Sequence, residues 1–220
     1  MTDRAPDPET RLDLGETDCL VLVDIQADFL QGGALAVPEG DAVVPLANRL
    51  AARFPHVVAT QDWHPAGHAS FASSHPGRAP FETVAAPYGP QTLWPDHCVI
   101  GTEGAGFAPG LDLARAEMIV RKGFRPEIDS YSAFFENDGE TPTGLAGWLR
   151  ERGIARLFFA GLATDFCVGW SVRDARLCGF EAALVEDACR AIDLDGSRAA
   201  ALSDMAAAGA RRATVGALGA

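Results

Sequence analysis

The chain has no C-x-x-C pair, no apolar stretch near the roughly 20 residues that cross a bilayer, and no surplus of positive charge. Each absence excludes something. The five cysteines, Cys19, Cys98, Cys167, Cys178 and Cys189, are odd in number and scattered, which argues against a disulfide framework. At least one is therefore open to thiol chemistry. The start, Met1 to Glu9, is broken by prolines and acids and has no apolar core, so it does not read as a secretory signal, and the expected location is the cytoplasm. With 18 basic against 30 acidic residues the formal net charge is -12, so a polyanion would meet a repulsive field. Neither nucleic acid nor a membrane is an expected partner.

What is present is enough apolar material for a core: 48% hydrophobic and 22% charged over 220 residues. After a polar, flexible lead-in at residues 1–16, residues 17–220 read as a single domain in which apolar runs alternate with helical patterns. Strands are expected at 19–23, 56–60, 118–120, 157–160 and 182–185, with a sixth, edge strand at 213–215. The helices fall at about 41–54, 143–152, 164–178 and 196–208. The second of these is opened by Thr141-Pro142 and closed by Gly153, and the last ends at Gly209. Strands alternating with helices imply an α/β fold of three layers, αβα. The central sheet is expected to have six mostly parallel strands in the Rossmann-like order 3-2-1-4-5-6. Residues 63 to about 115 are rich in proline, glycine and histidine and lack periodicity. A loop of that length in a compact domain points to function.

Several residues in this frame carry chemistry. Asp24 directly follows the first strand, at a carboxyl end of the sheet where open α/β folds place ligands, although an aspartate there also serves as a turn cap. Asp62 and His64 stand together in Asp62-Trp63-His64-Pro65, and His97 closes Trp94-Pro95-Asp96-His97. Their oxygen and nitrogen donors suit Zn²⁺, Fe²⁺ or Mn²⁺. His68 is either a further ligand or a partner that orients one. His56 and His75 read as structural or exposed. Lys122 ends the third strand, where it would stabilise a thiolate. Cys167 falls in the first turn of a helix, where the dipole favours an anion, so its thiol pKa is expected to fall and the N–H groups there suit an oxyanion. Cys19, Cys178 and Cys189 read as small buried hydrophobes, and Cys98 has no assigned role. In the expected strand order, Asp24 and Cys167 flank the crevice between the first and fourth strands. A thiol, a carboxylate and a lysine converging there describe acyl transfer.

These segments, with Lys122-Gly123 and Gly161 to Val168, resemble the nicotinamidase branch of the isochorismatase-like hydrolases, in the family's order and from about residue 18 to the C-terminus. The resemblance implies a catalytic set of Asp24, Lys122 and Cys167, with Cys167 as nucleophile and Asp24 as proton acceptor and donor. It implies a cis peptide between Leu162 and Ala163 and an oxyanion site at the N–H groups of Ala163 and Cys167. Asp62, His64 and His97 would hold one divalent metal ion, Zn²⁺ first and Fe²⁺ or Mn²⁺ otherwise; His68 matches a position that ligates in some relatives. Phe29, Trp94, Tyr131, Leu162 and Ala163 would surround the ring of the small-molecule substrate nicotinamide, and pyrazinamide would also be accepted. The alternative within the superfamily is an amidohydrolase for a carbamoyl or ureido substrate, and a non-catalytic module would have lost part of the catalytic set. Phe166 departs from the tyrosine or histidine of many relatives. Metal identity and oligomeric state, including a homo-oligomer, stay open.

Overall fold

The computed structural model of the chain describes residues 12–218. The expected lead-in over residues 1–16 falls mostly outside the described residues. At its end, Leu12 forms a parallel bridge with Leu218.

The first strand, β1 (Asp18–Val23), is buried along its whole length. Cys19, Val21 and Val23 enter one core layer, and Leu20 and Leu22 enter the other. A strand apolar on both faces belongs in a parallel sheet covered on both sides. The other elements follow as α1 (Val43–Ala51), β2 (His56–Asp62), β3 (Thr83–Ala86), β4 (Gly89–Thr92), β5 (Ala116–Lys122), α2 (Leu145–Glu151), β6 (Arg156–Leu162), α3 (Gly169–Leu177), β7 (Glu181–Arg190), α4 (Ser197–Ala207) and β8 (Arg211–Ala213). The main sheet runs β5-β2-β1-β6-β7-β8 with every neighbouring pair parallel, while β3 and β4 form a separate antiparallel hairpin. With the hairpin set aside, this is the order 3-2-1-4-5-6 expected from the sequence.

Packing, not local propensity, holds the short helices. α1 has nine residues, fewer than an isolated helix needs in water. Its buried Val43, Ala47 and Leu50 lie on one face, toward the layer that contains Leu20, Leu22, Phe54 and Phe158. Full burial of such side chains contributes roughly 1.5–3 kcal/mol each. Phe54 and Phe158 meet edge-on with ring centres 5.1 Å apart. Among the described residues no helix is long and apolar enough to cross a membrane.

Three expectations need correction. The helix expected at 143–152 is Leu145–Glu151, because the preceding residues are engaged elsewhere. Phe135 and Pro142 form an antiparallel bridge, and Thr143 donates through its N–H to Phe134 O and through its hydroxyl to Ala133 O. The edge strand expected at 213–215 is Arg211–Ala213, since the Asp187 carboxylate takes the Val215 N–H and turns the chain out of the sheet. The supposedly irregular stretch 63–115 contains the β3–β4 hairpin and a short helical turn at Ala72–Ser74. Strands of four residues are too short for a period-2 pattern to stand out from sequence.

Candidate active site

The carboxyl ends of β1, β2, β5 and β6 converge where the strand order reverses. Asp24 follows β1 with a left-handed φ of 47°, a conformation that aspartate tolerates better than most residues. Its N–H donates to Thr60 Oγ1 at 3.1 Å, and the Thr60 hydroxyl donates back to Asp24 Oδ1, so β2 orients the carboxylate. Register places Lys122 opposite Asp62. On the other side of β1, Gly161 pairs with Val23, and a Cβ on Gly161 would lie 2.1 Å from Val23 O. Only glycine lets the two strands close so tightly just before the turn that carries Cys167. The Leu162–Ala163 peptide that follows is cis, and a π-helical turn at Thr164–Val168 carries Cys167.

Lys122 is the hub. Its Nζ lies 2.8 Å from Asp24 Oδ2 and 3.4 Å from Cys167 Sγ, and it donates to Asp62 Oδ1 and, at 2.7 Å, to Ser130 O. All four side chains are buried. Burial alone would lower the lysine pKa, but Asp24, Asp62 and Cys167 hold it well above its ordinary value, so the ammonium persists. Burial pushes the Cys167 thiol well up; the Lys122 ammonium opposes this, and Asp24 and Asp62 add to it. The lowered thiol pKa expected from the sequence is thus not found, because desolvation of a sulfur anion, with Asp24 and Asp62 beside it, outweighs the pull of the Lys122 ammonium. Burial also raises the Asp24 carboxyl above its usual range, which makes it a better proton acceptor.

Beside the hub, three donors face one point. Asp62 Oδ2 lies 3.7 Å from His64 Nε2 and 3.8 Å from His97 Nε2, too far for hydrogen bonds. These spacings approach the roughly 3.4 Å between tetrahedral donors that each sit about 2.1 Å from a zinc-sized ion. His64 Nδ1 donates to Gly123 O at 2.9 Å and His97 Nδ1 to Pro95 O at 2.8 Å, which leaves both Nε2 lone pairs directed inward. Gly123 is required for this, because a Cβ there would meet His64 Cε1 at 2.4 Å. The Asp62 carboxylate, although buried, is held well below the usual range by Lys122 and the two imidazoles, so it is a charged donor. One carboxylate oxygen and two imidazole nitrogens form a donor set that fits a divalent cation.

Above both features lies a pocket lined by Phe29, Trp94, Tyr131, Phe166 and Ile192, with Asp62, His97, Ala163 and Cys167 also exposed to it. Trp94 meets Phe166 edge-on at 4.8 Å, and Tyr131 meets Phe166 at 5.6 Å. Such a slot suits a flat ring.

Comparison with known proteins decides the family. The family model described as the isochorismatase domain matches residues 18–216. The chain belongs to the isochorismatase family. A curated nicotinamidase from Acinetobacter baylyi is 50% identical to this isochorismatase domain over 204 residues, 93% of this chain and 95% of that protein. A solved nicotinamidase and pyrazinamidase from Acinetobacter baumannii superposes with a TM-score of 0.90 at 50% identity, covering 91% of this chain and 97% of that one. The pyrazinamidase of Pyrococcus horikoshii, solved in complex with zinc, gives a TM-score of 0.74 at 35% identity over 90% of this chain and 99% of that one.

Within the isochorismatase domain, the residues singled out from sequence divide clearly. Asp24, Lys122 and Cys167 meet, and so do Asp62, His64 and His97; Phe29, Trp94, Tyr131 and Ala163 reach the pocket. Leu162 does not line it. As the last residue of β6 it alternates with Phe158 and Ala160 toward the α1 side and is fully buried there. His68 lies 4.5 Å from the His64 ring but directs Nε2 at the Arg125 and Ile128 carbonyls and Nδ1 at Ser70. Both nitrogens are engaged in these contacts, and His68 also offers a donor within 4.8 Å of His64 and Asp129.

Sequence reasoning missed Gln26, Ser130 and Asp129. Gln26 accepts the Asp62 N–H at 2.7 Å and donates to Asp62 O at 2.9 Å, which fixes the Asp62 backbone from the end of β1. Its position two residues after Asp24 was the available signal. Asp129, buried at the pocket wall and bonded to Gln91 at 2.8 Å, lies in an irregular segment that gives none.

Proposed function

We propose that this chain is a nicotinamidase, a metal-assisted cysteine amidohydrolase that converts nicotinamide and water to nicotinic acid and ammonia and also accepts pyrazinamide. The carrying observation is that Cys167, Asp24 and Lys122 meet at the floor of an aromatic slot, directly beside a donor set for a cation. The names of the relatives support the same substrate class.

Asp62, His64 and His97 would hold one divalent ion, Zn²⁺ first; when bound, it supplies an anchor for the ring nitrogen and a Lewis acid near the amide. Zinc in the Pyrococcus relative supports that choice. The aromatic walls fix the ring so that its carboxamide stands over Cys167, which removes much of the entropic barrier. As the sulfur attacks the carbonyl carbon, the thiol proton passes to Asp24, since the buried thiol is neutral beforehand. The N–H groups of Ala163 and Cys167 take the oxyanion. Collapse breaks the C–N bond, ammonia leaves with the proton from Asp24, and a thioester remains on Cys167. Asp24 then deprotonates a water that attacks the thioester, and the proton returns to sulfur as nicotinic acid departs. Lys122 stays charged throughout and keeps Asp24 and the sulfur in place. Removing it would leave two buried carboxylates without their cation, a change that costs about 3–5 kcal/mol.

Ammonia and nicotinic acid, measured together on nicotinamide, test the assignment. Equal amounts of the two products are expected from metal-loaded protein. Absence of ammonia under that condition would contradict it.

A further inference from the structure

Ile192 lies between two cavities. It lines the catalytic pocket, and among the described residues it is the one that also lines an outer groove on the β7 side, where Glu39, Glu186, Arg190, Asp193 and Arg198 stand. The space left free in the pocket is about 20 Å³, against about 740 Å³ in the groove. The pocket thus has almost no free space of its own, and Ile192 is the part of its wall that borders the larger groove.

The wall is tied to the nucleophile. Asp165, two residues before Cys167, accepts the Ile192 N–H at 3.1 Å and the Asp193 N–H at 2.7 Å, and the Ser197 hydroxyl donates to the same carboxylate. Asp193 and Asp195 are both left-handed, with φ of 57° and 50°, so the segment is held in a conformation the backbone alone disfavours. One buried carboxylate thus sets Ile192 at a fixed distance from the reacting sulfur.

We propose that Ile192 is a specificity-determining partition: it restricts the enzyme to unsubstituted pyridine and pyrazine carboxamides, and its removal admits rings carrying a small neutral substituent that extends into the outer groove. The proposal rests on the reading of the pocket as a nicotinamide site. An anionic substituent is excluded by the groove itself, where Arg190 pairs with Glu39 at 3.4 Å and Arg198 with Glu186 at 3.2 Å while Asp187 and Asp193 leave the lining net acidic, and a cation would first have to cross the apolar wall of the pocket.

The test compares kcat/KM for nicotinamide with that for nicotinamides methylated at each ring carbon, in the metal-loaded wild type, Ile192→Val and Ile192→Ala. One methyl group in an apolar pocket is worth about 10–200-fold in discrimination. For at least one methylnicotinamide, the ratio to nicotinamide is expected to rise at least about tenfold in Ile192→Ala and by a smaller step in Ile192→Val. If the alanine variant does not fold, the valine variant, which keeps most of the packing, carries the test at about threefold. Unchanged ratios for every methylnicotinamide in an otherwise active enzyme would overturn the partition alone. A wild type inert toward nicotinamide would overturn the functional reading and, with it, the substrates named here.

Discussion

Replacing Cys167 with alanine is expected to lower kcat for nicotinamide by about 10⁴-fold or more, the scale on which nucleophile removal acts in acyl-transfer enzymes. No other thiol can take over. Cys19 and Cys189 are buried in the core with thiols raised by burial, and neither Cys98, near Asp28 and Gly104, nor the half-buried Cys178 after α3 lines the pocket. The structural cost is small, because the change deletes one sulfur from a site already held by Lys122, Asp24 and Ser130. A loss of about 1 kcal/mol would move the melting temperature of a chain this size by about 2–4 °C. Activity and stability should therefore separate: near-zero turnover, an almost unchanged melting curve and unchanged metal content. A variant that keeps wild-type turnover would remove the nucleophile assignment.

Stripping the protein of metal is the second large effect. Three donors with a single negative charge are arranged around a point they do not fill by themselves, and the Nδ1 atoms of both histidines are committed to the carbonyls of Gly123 and Pro95. That arrangement holds each imidazole in the tautomer that binds a cation. Chelator-treated protein is expected to lose about 100-fold or more in kcat, the upper end of what disturbing a site's supporting partners does. One equivalent of Zn²⁺, Fe²⁺ or Mn²⁺ should restore it. Elemental analysis should find close to one ion per chain in active protein, and the melting temperature should rise on reloading, since the ion binds only the folded donor set. Fully active, metal-free protein would contradict the metal reading.

Much of this site was legible in the sequence because parallel α/β topology turns linear order into position. An apolar run followed at once by Asp24, a run ending in Lys122, and Gly161 to Cys167 after a third run all put their functional residue at a strand's carboxyl end. Once the order of strands is fixed, convergence follows. What escaped depends on side-chain direction and on irregular backbone. Leu162 and Ala163 are adjacent, yet one faces the core and the other the pocket, because strand alternation ends between them. His68 has the chemistry of a ligand, and only the positions of the Arg125 and Ile128 carbonyls show that its nitrogens are taken. The thiol pKa is raised and not lowered because helix-end position is visible in sequence, whereas the depth of burial and the two neighbouring carboxylates are not. Asp129, Ser130 and Ile192 lie outside any periodic pattern and reach the site only through the fold.

The most direct test of sulfur attack is to quench the metal-loaded enzyme with acid during turnover of nicotinamide and map its peptides by mass spectrometry. A single nicotinoyl group is expected on the peptide containing Cys167, present during turnover, lost once substrate is exhausted, and missing from Cys167→Ala. A fully active enzyme that never carries that adduct, or carries it on another residue, would contradict covalent catalysis by Cys167.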